Sequence, residues 1–288
     1  MTESEKPVTR VAFLGNSIQY FNDLPRFMSA LSKNAIKQNS CFRGGANFKT
    51  LFKNGNGMQV KFSTTNALQA EETKDIGAPD IKSLILQEPW DFIVMNDFTQ
   101  HPARNCTRLE SIATLVEDYA PLIRQSGGTV VFLMTYAYRK EGLIEGSEDL
   151  GTVAQFTNLL HKGYQTYSQA LADVLLSSSP SPRIAPVGLA FFMVHEENPD
   201  MWSHLYHPDS KHPSPHGTFL IGCVLYYTIF GIPPTKEIAI PEGGPESLWE
   251  KARLMQPAGD NPQSKPNKAQ AEYLLDVATR VCLNYVSR

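Results

Sequence analysis

Val11-Ala12-Phe13-Leu14-Gly15-Asn16-Ser17 is an apolar run that stops at a glycine and passes straight into two residues of cap-forming type. A short apolar run bounded by turn chemistry reads as a buried strand. Behind it, Leu24, Phe27, Met28, Leu31 and Ala35 recur at helical spacing, with Asp23 expected to cap that helix. The alternation then repeats. Phe92 to Met95 is a second strand, followed by a helix marked by Leu109, Ile112, Ala113, Val116, Tyr119, Ala120 and Ile123 and ended at Gly127-Gly128. Thr129 to Met134, apolar on both faces, is expected to be a central parallel strand. A long helix from about Thr152 to Leu176, a Ser-Pro-rich turn at Ser177 to Pro182 and a strand at Ile184 to Val187 continue the pattern. Parallel neighbours need crossover helices, so this order predicts an α/β fold: a three-layer α/β/α sandwich around a mostly parallel sheet.

Two stretches break the pattern. Cys41 to Asn66 is rich in glycine and reads as loop with one short helical turn at most, and Gln256 to Lys268 reads as an exposed linker to a last helix bearing Leu274, Val277, Ala278 and Val281 on one face. With 288 residues and no internal repeat, a single domain over 1–288 is expected. The balance of 26 basic against 29 acidic residues gives no electrostatic footprint for nucleic acid. The longest apolar run, Thr218 to Phe230, is shorter than the ~20 residues of a membrane helix. Cys41, Cys106, Cys223 and Cys282 are scattered without a Cys-x-x-Cys pair, which argues against a zinc knuckle or a disulfide framework and for a reducing, cytoplasmic setting.

Functional groups on parallel sheets gather beyond the carboxyl ends of the strands, and polar residues stand at those ends here: Asn16-Ser17, Asn96-Asp97 and Thr135-Tyr136. The turn Gly15-Asn16-Ser17 exposes a serine hydroxyl beside the donors of a helix start, although such residues also serve simply as caps. Gln19 occupies the place of the second glycine in a Gly-x-Ser-x-Gly elbow, so that motif is not present. Five of the 7 histidines lie between His195 and His216, and Asp209 stands three residues before His212, a spacing that lets a carboxylate fix an imidazole tautomer. His207, Asp209, His212 and His216 are also chemically suitable metal ligands, though the spacing matches neither His-x-x-x-His on a helix nor His-Glu-x-x-His. In Arg43-Gly44-Gly45-Ala46-Asn47, glycine could bring a bare N–H to a developing oxyanion, and Asn96 could offer a neutral side-chain donor.

Taken together these segments resemble the SGNH (GDSL-like) hydrolase superfamily, and in particular a largely uncharacterised SGNH-like branch. Gly15-Asn16-Ser17 is similar to the first family block, with Asn in place of the commoner Asp. Gly44-Gly45-Ala46 resembles the second, Asn96-Asp97 the third and Asp209-x-x-His212 the fifth. The segments Asn16 to Pro25, Ala185-Pro186-Val187-Gly188 and His212-Pro213-Ser214-x-x-Gly217 extend the likeness, which covers about Val11 to Pro234; the remainder to Arg288 is expected to pack on the same domain. The resemblance implies a flavodoxin-like SGNH fold and a carboxylic ester hydrolase with Ser17 as nucleophile, His212 as base and acid, and Asp209 orienting His212. It implies an oxyanion hole of the Ser17 and Gly45 backbone N–H groups and the Asn96 side chain, with no cofactor. Val94 stands where many members carry glycine, which leaves Asp97 or Gln100 as neighbours for the Asn96 role and Gly44 as the neighbour of Gly45.

The implied partner is a small-molecule ester, O-acetyl groups of a carbohydrate among the candidates, with neither nucleic acid nor membrane. Tyr20, Trp90, Phe98, Tyr136, Tyr138 and Trp202 are aromatic candidates for the mouth of the site, and Arg43, Arg139 and Lys211 the cationic ones. Two other functions remain open on the sequence: a non-catalytic ligand binder on the same fold, and a metal-dependent hydrolase using the His195–His216 cluster.

Overall fold

Successive side chains of a strand point to opposite faces, and along β1 (Thr9–Gly15) this sends Val11 and Phe13 into one hydrophobic layer and Ala12 and Leu14 into another. The computed structural model describes residues 8–58, 76–140, 146–175, 179–252 and 264–286. The strands β1, β2 (Ile36–Phe42), β3 (Phe92–Met95), β4 (Thr129–Leu133) and β5 (Arg183–Ala185) form one parallel sheet in the order β2-β1-β3-β4-β5. In chain order the helices are α1 (Ser17–Tyr20), α2 (Leu24–Leu31), α3 (Phe48–Asn54), α4 (Ile81–Leu86), α5 (Asn105–Thr114), α6 (Ala120–Ser126), α7 (Val153–Val174), α8 (Val187–Glu197), α9 (Pro199–His204), α10 (Pro215–Phe230), α11 (Lys236–Ala239) and α12 (Lys268–Val286). A π-helical turn, Leu115–Tyr119, joins α5 to α6.

Helices α2, α8, α10 and α12 pack on the face carrying Val11, Phe13, Val94, Val131 and Leu133. Helices α3, α4, α6 and α7 pack on the face carrying Ala12, Leu14, Ile93, Met95, Val130 and Phe132. All five residues of β4 are buried, as expected of a strand covered on both sides. The three-layer α/β/α sandwich read from the sequence is therefore the architecture observed. Among the described residues no helix is long and apolar enough to cross a membrane.

Several local expectations are corrected. No strand was expected before Phe92 other than the first, yet β2 pairs with β1 along its whole length. It lies at the sheet edge, where Lys37 is exposed and Gln38, Asn39 and Ser40 are half-buried, so it carries no apolar run to betray it. The first helix ends at Leu31 rather than Ala35, because Lys33 and Asn34 turn left-handed to feed β2. Asp23 does precede α2, but it sits at φ 52° with no side-chain cap bond and its carboxylate instead takes Arg26 at 2.8 Å. Within Cys41 to Asn66, β2 runs to Phe42 and α3 makes two turns, held at its start by a reciprocal Asn47–Thr50 capping box; positions 59–66 lie outside the described residues. The fourth predicted strand is shifted, since Val187 already begins α8. The expected Gln256 to Lys268 linker lies within the described residues only from Ser264, and the Ser177 to Pro182 turn only from Ser179.

The pairing register sets up the site. Gly15 lies level with Phe42, and Leu14 level with both Cys41 and Met95. The chain therefore leaves β1, β2 and β3 at one height, with the order reversing across β1, which is where ligands bind in open parallel sheets.

Close packing behind the site gives a first test. Gly222 on α10 faces the fully buried Phe27, and a Cβ built there would lie 2.3 Å from Phe27 Cε1. Gly→Ala in a free helix would gain about 1 kcal/mol, whereas overpacking a rigid core costs about 1–3 kcal/mol. The clash wins: Gly222→Ala should lower the urea unfolding midpoint at unchanged slope.

Candidate active site

Gly15 ends β1 where any side chain would collide, since a Cβ there would sit 2.1 Å from Asn96 Oδ1. Asn16 follows as the cap of α1, accepting the Ile18 N–H at 3.1 Å, and places Ser17 at the first position of the helix. The Asn16 side chain does more than cap. Its Nδ2 donates to Ala46 O at 2.9 Å and to Asp97 O at 3.1 Å, while its Oδ1 also accepts from Asn96 Nδ2 at 2.9 Å. Both donors and both acceptor positions of this buried amide are thus used.

The loop after β2 is drawn to the same place. Gly45 has φ 66°, a left-handed conformation suited to glycine, and nothing lies within 4 Å of where its Cβ would be. Gly44 and Gly45 line a cleft of about 370 Å³ together with Ser17, His212, Thr99 and Gln100. Tyr20, Phe21, Phe98, Tyr138 and Lys211 also line it. Burial pushes the Tyr20 hydroxyl up, while a hydrogen bond with the Ser17 side chain pulls it back.

The histidine segment reaches the cleft from far along the chain. An antiparallel bridge between Tyr206 and Pro213 and a bond from His207 N–H to His212 O at 2.8 Å close it into a tight loop. Ser210 turns left-handed there at φ 64°, and Arg139 braces it through its hydroxyl at 3.1 Å and its carbonyl at 3.0 Å. Asn22 fastens this loop to the serine turn by donating to Pro213 O at 2.8 Å and to Thr218 Oγ1 at 3.0 Å.

Across 195 residues of chain, His212 Nε2 then lies 2.7 Å from Ser17 Oγ, and His212 Nδ1 lies 2.5 Å from Asp209 Oδ2. The Asp209 Oδ1 accepts the N–H groups of Lys211 and His212 at 2.9 and 3.0 Å. His207 Nδ1 approaches the other oxygen at 3.2 Å. Partial burial acts to raise the Asp209 carboxyl, but the bonds from His207, His212 and the two backbone N–H groups outweigh it and hold the group well below the usual carboxylate range. An ionised carboxylate only accepts, so the proton on the His212 ring belongs on Nδ1 and Nε2 is left to accept from Ser17. Phe21 stacks on the His212 ring at 4.3 Å and 4°, which limits its rotation.

Ser17, Asp209, His212 and Gly45 therefore come together as expected from the sequence; Asn96 does not. Its Nδ2 donates to Asn16 Oδ1 and to Asp97 O, both at 2.9 Å, its Oδ1 accepts from Gln19 at 2.7 Å, and it is not part of the cleft wall. Asp97 is fully buried, accepting the Ser111 and Tyr167 hydroxyls at 2.6 and 2.7 Å. Burial raises its carboxyl despite those bonds, and it too stays out of the cleft. Of the aromatic candidates, Tyr20, Phe98 and Tyr138 line the cleft. Trp90 is tied to Leu84 O, Tyr136 stacks on Phe191, and Trp202 packs on His195. Of the cations only Lys211 lines it; Arg43 turns to the carbonyls of Asn54 and Gly55. His216 is buried against Gln270, with its ring pushed toward the neutral form by that burial. Among the described residues no group of three or more His, Cys, Asp or Glu side chains is placed to share a metal ion. Phe21 and Asn22 carry no signal of their own in the sequence; they fall inside the Asn16 to Pro25 segment, whose pattern stands out only as a resemblance.

The saturated Asn16 amide makes a specific demand. An aspartate, the commoner residue before such a serine, would set carboxylate oxygen against the carbonyls of Ala46 and Asp97. Asn16→Asp keeps the Ile18 and Asn96 donors on one oxygen but sets the other, without a donor, against two carbonyls; it should cost about 3 kcal/mol and depress the melting temperature by roughly 6–12 °C. Part of that loss should be recovered as the pH is lowered and the new carboxyl takes up a proton.

No protein-family model matches this sequence, and no curated protein matches it. Several solved structures are similar to it, and two of them carry the comparison. One is a protein of Slackia heliotrinireducens provisionally described as an SGNH hydrolase, 24% identical, with a TM-score of 0.51 over 77% of this chain and 99% of that one. The other is a DUF4886 family protein of Bacteroides uniformis, 13% identical, with a TM-score of 0.63 over 96% of this chain and 95% of that one. At such identities the likeness is one of architecture, and it agrees with the parallel sheet flanked by helices described above: the chain has the fold of the SGNH hydrolases.

Proposed function

We propose that the protein is a serine hydrolase that cleaves acyl esters through an acyl-enzyme. The observation that carries this reading is the unbroken line from the Asp209 carboxylate through the two ring nitrogens of His212 to the Ser17 hydroxyl, at 2.5 and 2.7 Å. Ser17 Oγ attacks the acyl carbonyl as His212 Nε2 takes its proton; the imidazolium returns that proton to the departing alkoxide, and the alcohol leaves. Water, deprotonated by the same nitrogen, then attacks the acyl-serine and releases the acid. Asp209 remains ionised throughout, keeping the ring oriented and stabilising its positive charge.

The backbone N–H groups of Ser17 and Gly45 are the donors for the tetrahedral oxyanion. Neither has a hydrogen-bond partner among the described residues, and both residues line the cleft. A cleft of about 370 Å³ is at the small end for ligand sites, which favours a short acyl group such as acetyl. Its aromatic walls at Tyr20, Phe21, Phe98 and Tyr138 suit an acetylated sugar or a comparable small alcohol as the leaving portion. Every group in the reaction comes from the chain itself, and no step calls for a metal or organic cofactor.

Ser17→Ala should reduce hydrolysis of p-nitrophenyl acetate by at least about 10³-fold, with a melting temperature within a few degrees of the wild type, because the hydroxyl lies at the cleft rather than in the core. Retained hydrolysis in that variant would refute the assignment of the nucleophile.

A further inference from the structure

A glutamine side chain has two chemically opposite ends of almost equal size: Oε1 only accepts and Nε2 only donates. Gln100 lines the cleft at 8% exposure, and which end it turns to a substrate decides whether it can meet a negative oxygen or would repel one. Its neighbour settles the orientation. Arg104 Nη1 donates to Gln100 Oε1 at 2.5 Å. A guanidinium has no acceptor, so the flipped amide would set N–H against N–H in a nearly buried place. The amide therefore keeps its oxygen toward Arg104 and its NH2 on the far side, where it meets the Tyr138 hydroxyl, another residue of the cleft wall.

Arg104 is itself fixed rather than swinging free. Its Nε donates to Asp149 Oδ2 at 2.8 Å and its Nη2 to Asp149 Oδ1 at 2.5 Å, a two-point fork, and Nη2 also reaches Gly146 O. The guanidinium plane is thus locked from one side by Asp149 and presents Nη1 to Gln100 on the other. Asn96 has both amide hydrogens committed to Asn16 and Asp97 and does not line the cleft, so Gln100 is the carboxamide beside Thr99 on the cleft wall that follows β3.

Building on the serine hydrolase reading, we propose that Gln100 is the side-chain donor to the oxyanion and that Arg104, braced by Asp149, is the positioning residue that keeps the Gln100 NH2 turned toward the developing charge. Gln100 meets the reacting oxygen; Arg104 acts only through it.

The test is a double-mutant cycle on the full chain, reading p-nitrophenyl acetate hydrolysis and the rate at which a fluorophosphonate labels Ser17. Gln100→Ala should lower kcat by about 10²-fold, the usual loss for one oxyanion donor. Arg104→Met should lower kcat by about tenfold, a part of that same loss, with KM changed less than about twofold. The pair together should be no slower than Gln100→Ala alone, since Arg104 has nothing left to orient. Gln100→Glu is the sharpest arm. It retains the Arg104 contact as an ion pair, so the fold should be as stable as the wild type, yet it replaces the donor with an acceptor and should be as slow as Gln100→Ala. Arg104→Lys, which keeps one donor for Oε1, should recover part of the loss. If Arg104→Met does not fold, Asp149→Asn loosens the same guanidinium and should show the same dependence on Gln100. Losses that multiply fully in the double variant, or an Arg104→Met enzyme with wild-type kcat and labelling rate, would overturn the inference while leaving the serine hydrolase reading intact. Absence of Ser17 labelling in the wild type would overturn that reading and this inference with it.

Discussion

The site depends on one buried amide. Asn16 stands at the end of β1 and hydrogen-bonds at once to the helix start that carries Ser17, to Ala46 beyond β2 and to Asn96 and Asp97 beyond β3. Unmade hydrogen bonds in a buried place cost more than made ones contribute, so the three connections can adopt few arrangements that keep Asn16 satisfied. The strand register makes this possible by bringing all three chain segments off the sheet at one level. Asn in the place where Asp is commoner is explained by its partners: two of them are carbonyl oxygens, which need a donor.

The second half of the site is brought in by a different mechanism. The segment from His204 to Ser214 is a polar, proline-rich loop, and its shape comes from the Tyr206–Pro213 bridge, the left-handed Ser210 and the Asn22 amide. Asp209 is the electrostatic centre of that loop. Four donors converge on its carboxylate, which is why it stays ionised although partly buried, and why the neutral form of the His212 ring carries its proton on Nδ1 and turns Nε2 to Ser17 as an acceptor. Phe21, stacked on the same ring, limits its rotation without competing for either nitrogen. Positioning and charge thus come from separate residues, and the Ser17 hydroxyl already lies within hydrogen-bond distance of the ring.

Much of this was legible in the sequence because it is local. The apolar run into Gly15-Asn16-Ser17 marks a strand and a turn within a few residues, and Asp209-x-x-His212 is a spacing that works on any tight turn. The strongly periodic helix expected from about Thr152 to Leu176 is α7, Val153–Val174, for the same reason, and the apolar face expected of the last helix lies on α12. Edge strand β2 was not, because half-exposure removes the apolar signal, and only the need for a neighbour on the open side of β1 points to it. Helix α3 has few apolar residues, and its legible mark was the Asn47-x-x-Thr50 cap rather than its composition. Asn96 was the natural choice for a donor on motif grounds, whereas its commitment to Asn16, Asp97 and Gln19 is purely a matter of tertiary contact. The sequence offers Gln100 only as a neighbour for the Asn96 role; its contact with Arg104, itself held by Asp149 some 45 positions further along, is encoded in no local pattern.

The central claim is geometric, and a crystal structure of the protein after reaction with a small fluorophosphonate, a mimic of the tetrahedral intermediate, tests it most directly. The account predicts phosphorus bonded to Ser17 Oγ, with the phosphonyl oxygen within hydrogen-bond distance of the N–H groups of Ser17 and Gly45 and of Gln100 Nε2, and with His212 still linked to Asp209. Phosphorus on another residue, or a phosphonyl oxygen turned away from those three donors, would contradict it.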